Sequence, residues 1–197
     1  MRNALATVDS SASLTPRERA ANDFYREPAW AVRALLDAED FRGGCVWHPA
    51  AGLDNIPSTC RARDIHAFGS DLIDRGAVSV RAPLDFLDLD PSFAPHVEFI
   101  ICNPPFALAE HFIERSLSIA SRKVAMLLRL SFLEGQRRGE MFASTPLARV
   151  LVFSSRVSMP PGDSAAEAKG GAVAFAWYVW QHGHQGPPTL GWLRKPA

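Results

Sequence analysis

The stretch Val97-Glu98-Phe99-Ile100-Ile101-Cys102-Asn103-Pro104-Pro105-Phe106 decides how the rest of the chain is read. Its first six residues form a continuous apolar run without alternation, the pattern of a strand covered on both faces. The run stops at two prolines, which fix φ and remove two N–H donors, so the strand ends in a rigid turn. Residues 107–120 then place Leu108, Phe112, Ile113, Leu117 and Ala120 on one stripe at helical spacing. A buried strand, a turn and an amphipathic helix in that order form the repeating unit of an α/β fold.

Working outward, the same unit recurs. Cys45-Val46-Trp47 reads as a short strand, followed by the small-residue turn His48-Pro49-Ala50-Ala51-Gly52. Residues 66–70 read as a second strand ending at Asp71, and a further extended segment ends near Asp85-Phe86-Leu87. Residues 123–130 (KVAMLLRL) are a second buried strand, and residues 150–153 and 173–180 are two more. A helix is predicted from Pro28, with Trp30, Val32, Leu35 and Leu36 as its apolar face, closed by Gly43-Gly44. A weaker helix falls over 55–63, with Pro57 in its first turn, and a short polar one over 134–142. The expectation is a Rossmann-like, doubly wound α/β fold: a mostly parallel sheet with helices on both faces. The last two strands lack a helix between them, which predicts an antiparallel edge strand. Residues 1–22 read as a flexible N-terminal tail and residues 23–197 as a single domain. A Pro/Gly/Ala-rich loop occupies 159–171.

Composition narrows the function classes. Hydrophobic residues make up 47% of the 197, enough for a real core. Lys plus Arg and Asp plus Glu are both 21, a formal net charge of zero. That disfavours a protein that coats DNA through bulk charge but leaves room for a local basic patch. Cys45, Cys60 and Cys102 show no metal-ligand spacing and read as buried thiols in a reducing compartment. His182 and His184 mimic a metal pair but have no further ligands nearby, so no metal is expected. No apolar run approaches the roughly 18 residues needed to span a bilayer. Residues 1–13 lack a signal-peptide core, and the expected location is the cytoplasm.

In a doubly wound sheet, ligands bind off the carboxyl ends of the strands where the chain reverses direction. The Gly52 turn and the Asn103–Phe106 turn both open on that crevice. The second turn has a specific chemical logic. Asn103 offers a side-chain oxygen and Pro104 a backbone oxygen, and two acceptors can hold both hydrogens of an exocyclic amino group. The nitrogen lone pair is then aimed at an electrophile, and Phe106 offers a face for a planar ring. Positioning supplies most of the catalysis, and no strong base is needed.

On these residues the chain resembles the amino-methyltransferases that carry this Asn-Pro-Pro-Phe motif. It is most similar to small adenine-N6-methyltransferase-like proteins of phages, prophages and bacteria. The resemblance runs from about Asp23 to Trp192 through DFYREPAW, VWHPAAGLDNI, GSDLIDRG, NPPF, KVAMLLRLSFLEGQRR, FAWYVW and GPPTLGWL. It implies a class I methyltransferase that uses S-adenosyl-L-methionine to methylate N6 of adenine in DNA, by base flipping or on single strands. Asn103, Pro104, Pro105 and Phe106 would be the catalytic turn. His48, Pro49, Ala50, Gly52 and Asp54 would wrap the methionine part of the cofactor, with Asp71 on the ribose hydroxyls and Leu72 or Ile73 on the adenine ring. Asp85 and Phe86 would meet the adenine edge, and Tyr25 to Pro28 would form an N-terminal cofactor contact.

Three positions depart from the family pattern. His48 stands where an acidic residue is usual, Asp54 replaces a second glycine, and Glu27 precedes Pro28 where a threonine is usual. Phe106, Arg129, Arg137 and Arg138 are candidates for substrate binding, the arginines toward a phosphate backbone. The motif fits other planar amino groups equally well, so an RNA base or a protein glutamine remains an alternative acceptor. A degenerate, non-catalytic binding protein is the third reading. With little room for a recognition region, target specificity is expected to be low or supplied by a partner. The target sequence, the oligomeric state and any restriction partner are not written in these residues.

Overall fold

The computed structural model describes residues 24–90, 92, 94–160, 162 and 173–195. The predicted tail and most of the 159–171 loop lie outside the described residues. The elements run α1 (Ala29–Ala38), β1 (Cys45–His48), α2 (Asn55–Arg61), β2 (His66–Ser70), β3 (Val80–Arg81), β4 (Val97–Cys102), α3 (Ala109–Ile119), β5 (Ala120–Arg129), α4 (Gln136–Ser144), β6 (Leu147–Phe153), β7 (Phe175–Gln181) and β8 (Thr189–Leu193). A short 3-10 turn, Phe106–Leu108, leads into α3.

The eight strands form one sheet in the order β3-β2-β1-β4-β5-β7-β6-β8. Every neighbouring pair is parallel except those made by β7, which runs antiparallel to both β5 and β6. The chain reverses its winding between β1 and β4, so their carboxyl ends flank the switch point. The sequence pattern of β4 has a direct physical reading. Phe99 and Ile101 belong to the core layer beneath α1 and α2, with Val32, Leu35 and Ile56. Ile100 and Cys102 belong to the opposite layer, with Phe112 and Ile113 of α3.

Three expectations needed adjustment. The antiparallel strand is not the outermost one: Phe175 to Trp180 are all buried, so β7 requires a neighbour on each side. β6 and β8 lie beyond it. β8 is a strand the pattern did not reveal, because its burial is slight, with Leu190 and Trp192 55% and 66% exposed. The segment reaching Asp85-Phe86-Leu87 is a strand only at Val80–Arg81. Asp85 instead closes a turn, its Oδ1 accepting the N–H of Leu87 at 3.0 Å.

At the opposite end of the sheet from the switch point, buried Glu39 accepts from Lys123 Nζ at 2.9 Å and from Arg149 Nη2 at 2.9 Å. Arg149 also donates to Gln181 Oε1 at 2.8 Å, tying β5, β6 and β7 to the end of α1. Among the described residues no helix is long and apolar enough to cross a membrane.

Candidate active site

The turn after β1 is built on Asp71. Its Oδ2 accepts the N–H of Gly52 at 2.8 Å and its Oδ1 accepts the N–H of Ile73 at 2.9 Å. Ala51 N–H donates to Ser70 O at 2.9 Å, so the turn is stitched to the end of β2. A carboxylate has about four acceptor sites, and the two backbone donors leave Asp71 capacity for a diol. Gly52 has φ +53°, and a Cβ there would lie 2.1 Å from the Phe24 ring. Glycine at this position meets both demands.

Asp54 takes φ +72° in the left-handed region, which aspartate tolerates better than most residues. Its carboxylate is bound within the protein, accepting from Arg61 and from Ser79 Oγ at 2.7 Å. Asp54 therefore does not line the crevice, and its negative charge is already paired.

The two turns meet at Asn103. Its backbone N–H donates to His48 Nε2 at 3.4 Å. His48 is buried, and burial pushes its imidazole down to about 3, so it is neutral and acts there as an acceptor. The Asn103 amide nitrogen donates twice, to Tyr25 O at 2.9 Å and to Glu27 Oε2 at 3.0 Å. Its carbonyl oxygen, Oδ1, is buried and finds no hydrogen-bond partner among the described residues. Two of the departures from the family pattern, Glu27 and His48, thus converge on one asparagine.

Beside this group lies a crevice of about 720 Å³, counting its open mouth. Asp71, Arg75, Asp85 and Asn103 are among its polar points, and Leu72, Phe86 and Phe112 are among its apolar walls. Tyr25, Pro49 and Ala50 also line it.

No protein-family profile and no curated protein matches the chain. Solved structures do. A Pyrococcus horikoshii protein designated an RNA methyltransferase superposes over 81% of this chain and 87% of its own, with TM-score 0.60 and 14% identity. A modification subunit assigned to a type I restriction enzyme of Vibrio vulnificus gives TM-score 0.60 and 14% identity, covering 87% of this chain but 47% of that one. The 23S rRNA methyltransferase ErmE gives 0.54 and 15%, covering 82% and 70%.

The chain has a Rossmann-like methyltransferase fold. At these identities the likeness is one of architecture.

Within the methyltransferase fold, the remaining candidates fall into two groups. Pro28 caps α1 and Pro104 is buried in the turn, so both shape the site without lining the crevice. Phe106 also lies outside the crevice lining. Its ring stacks on Tyr25 at 5.7 Å, and the Arg129 guanidinium sits 4.7 Å above it. The face expected to receive a planar ring is therefore part of an aromatic and cationic stack. Arg137 pairs with Glu110 at 2.6 Å, and Arg138 donates to Glu134 O at 2.6 Å while lying over Phe132. These two arginines are engaged by local partners. Among the described residues no group of three His, Cys, Asp or Glu side chains is gathered to hold a metal ion.

Sequence reasoning placed Glu27 in the N-terminal cofactor segment but did not connect it with Asn103. Glu27 is 4% exposed, and burial pushes its carboxyl up to about 7. The only sequence signal was an acidic residue directly before the Pro-capped apolar helix.

Proposed function

We propose that this protein is an S-adenosylmethionine-dependent methyltransferase whose acceptor is a planar amino nitrogen, with N6 of adenine in DNA as the substrate. The observation that carries the reading is the Asn103 amide, on a residue that lines the crevice: its nitrogen is committed to protein acceptors, and its oxygen is buried without a partner among the described residues. An unsatisfied buried acceptor is costly and calls for an explanation. A substrate amino hydrogen supplies one.

The crevice fits the proposed cofactor. Asp71 retains acceptor capacity for a ribose diol, Leu72 and Phe86 offer apolar cover for an adenine ring, and Asp85 lines the crevice on the side proposed for its amino edge. The cofactor, when bound, supplies a methyl group on a positively charged sulfur. Asn103 Oδ1 then accepts a hydrogen of the target amino group and directs its lone pair at that carbon. His48 holds the Asn103 backbone, and Tyr25 and Glu27 hold its side chain. The amino nitrogen sheds its proton after the displacement, so no general base is required.

The charge layout favours a polyanionic substrate. On the β5–β6–β8 side, Arg129, Arg156, Arg194 and Lys195 are exposed beyond the strand ends. On the β2–β3 side the corresponding loops carry Asp74, Asp85, Asp88 and Asp90 against Arg75. A phosphate backbone is attracted to the first side and repelled from the second. A base in a duplex must flip out to reach Asn103. We further propose that a partner supplies sequence specificity.

Calorimetric titration with S-adenosylmethionine, followed by methyl-transfer assays on DNA, RNA and protein, tests the reading. Micromolar binding and transfer to DNA are expected, with Asn103→Ala abolishing transfer and sparing cofactor affinity. Transfer to RNA or protein alone reassigns the acceptor. Unchanged transfer in Asn103→Ala refutes the role of that residue. Undetectable cofactor binding at millimolar concentration favours a non-catalytic binding protein.

A further inference from the structure

An asparagine amide has nearly the same shape after a half-turn that exchanges oxygen and nitrogen. Only its hydrogen-bond partners decide which end faces outward. At Asn103 the outcome matters, because a flipped amide would point two donors at a substrate amino group that is itself a donor.

We propose that Glu27 is a positioning residue for Asn103: its ionised carboxylate, with the Tyr25 carbonyl, fixes the amide so that Oδ1 faces the substrate. This rests on the reading of Asn103 as the acceptor of the target amino group. The Tyr25 carbonyl can only accept, and an ionised carboxylate can only accept, so together they require both N–H bonds of Nδ2. A protonated Glu27 can donate instead, which gives the flipped amide a partner it otherwise lacks.

Glu27 is anchored for this task. Its backbone oxygen accepts from Asn55 Nδ2 at 3.1 Å, and Pro28 starts α1 immediately after it. Its carboxyl lies near 7 because burial raises it, while its own backbone N–H, the Asn103 amide and the Arg26 charge oppose that rise. His48 and Cys102, on either side of Asn103, do not share this range. His48 at the end of β1 stays neutral, its imidazole pushed down to about 3 by burial. Cys102 at the end of β4 is held as a thiol, first by burial and then by the charges of Glu27 and Asp71. Asp71 spends its carboxylate on the N–H groups of Gly52 and Ile73.

The test has two readouts on the full chain. The side-chain amide resonances of Asn103, identified by their loss in Asn103→Asp, are followed across the neutral pH range. They are expected to shift with one ionisation near 7 in the wild type and to stay level in Glu27→Gln. Methyl transfer is expected to rise with the same ionisation, through kcat rather than KM. Glu27→Gln, which keeps an acceptor, should flatten that profile, and Glu27→Leu should lower kcat by about tenfold or more with cofactor affinity unchanged. Asn103 resonances that do not titrate, or that titrate identically in Glu27→Gln, overturn the proposal. A titrating amide in a protein that methylates no acceptor supports the Glu27 contact and overturns the functional reading instead.

Discussion

The carboxylate of Asp54 is paired with the guanidinium of Arg61, and this pairing gives the aspartate a role in its left-handed turn. The left-handed backbone at Asp54 would cost an alanine about 1–2 kcal/mol. Loss of a pair whose arginine is part-exposed adds about 1 kcal/mol. Asp54→Ala should therefore destabilise by about 2–3 kcal/mol in urea unfolding, and Asp54→Gly by about 1 kcal/mol, since glycine relieves the backbone term. Neither should tighten cofactor binding, because the charge removed is already neutralised.

Asp71 joins the turn after β1 to the end of β2 and is the proposed ribose anchor. Asp71→Asn sets an N–H donor against one of two backbone N–H groups. Its binding of S-adenosylmethionine should weaken by at least about tenfold in a calorimetric titration, with far-ultraviolet circular dichroism unchanged. An affinity equal to the wild type would remove the ribose assignment.

Gly52 and Phe24 should be energetically coupled. A Cβ at Gly52 meets the Phe24 ring at 2.1 Å, and the φ of +53° disfavours alanine independently. Gly52→Ala should lower both stability and cofactor affinity. In a double-mutant cycle with Phe24→Ala, the pair should be less destabilised than the sum of the single variants. Strict additivity would mean that the ring moves aside without cost.

The pH dependence of stability should carry opposed contributions from two buried groups. His48 has an ordinary value of 6.5 and about 3 in the fold, so its unfolded form binds the extra proton. Its contribution is complete above 6.5 and is lost as pH falls toward 3. Glu27 has an ordinary value of 4.5 and about 7 in the fold, so here the folded form binds the extra proton. Its contribution is complete below 4.5 and is lost as pH rises toward 7, a step of about 3 kcal/mol. Between 4.5 and 6.5 the two slopes cancel. Melting temperatures of Glu27→Gln should fall on acidification through that window, and those of His48→Gln should fall on alkalinisation through it. Parallel profiles for wild type and both variants would contradict these assignments.

Glu39 should matter for stability alone. Removing it leaves Lys123 and Arg149 part-buried without their carboxylate. Glu39→Ala should destabilise by about 3 kcal/mol, as breaking a buried ionic cluster does. Cofactor affinity should hold, because the cluster lies at the far end of the sheet from the crevice.

What could be read from sequence follows from how each element is buried. β4 and β5 are covered on both faces, and VEFIIC and the VAMLL portion of β5 state that directly as apolar runs. The turn residues Asn103, Asp71 and Gly52 were legible because strand ends in such a sheet point to one place. β3 is two residues long, and β8 exposes Leu190 and Trp192, so neither leaves a burial pattern to find. The link between Glu27 and Asn103 was hidden for another reason. It spans 76 residues of sequence, and no local pattern encodes a contact at that distance. Asp54 looked like a possible intruder in the cofactor turn, and only its ion pair with Arg61 shows where its charge is spent.

The position of β7 has a consequence for how the chain assembles. Among the described residues, those lining the crevice fall between Phe24 and Phe112, ahead of β5. β6 is synthesised before β7 but joins the sheet only through it. A nascent chain that has emerged through β6 therefore holds these lining residues of the crevice, yet Val124 to Leu128 still present an open row of amide and carbonyl groups. That apolar edge invites another chain to add a strand. β7 is the strand that closes this window, and translation that halts before Phe175 leaves it open.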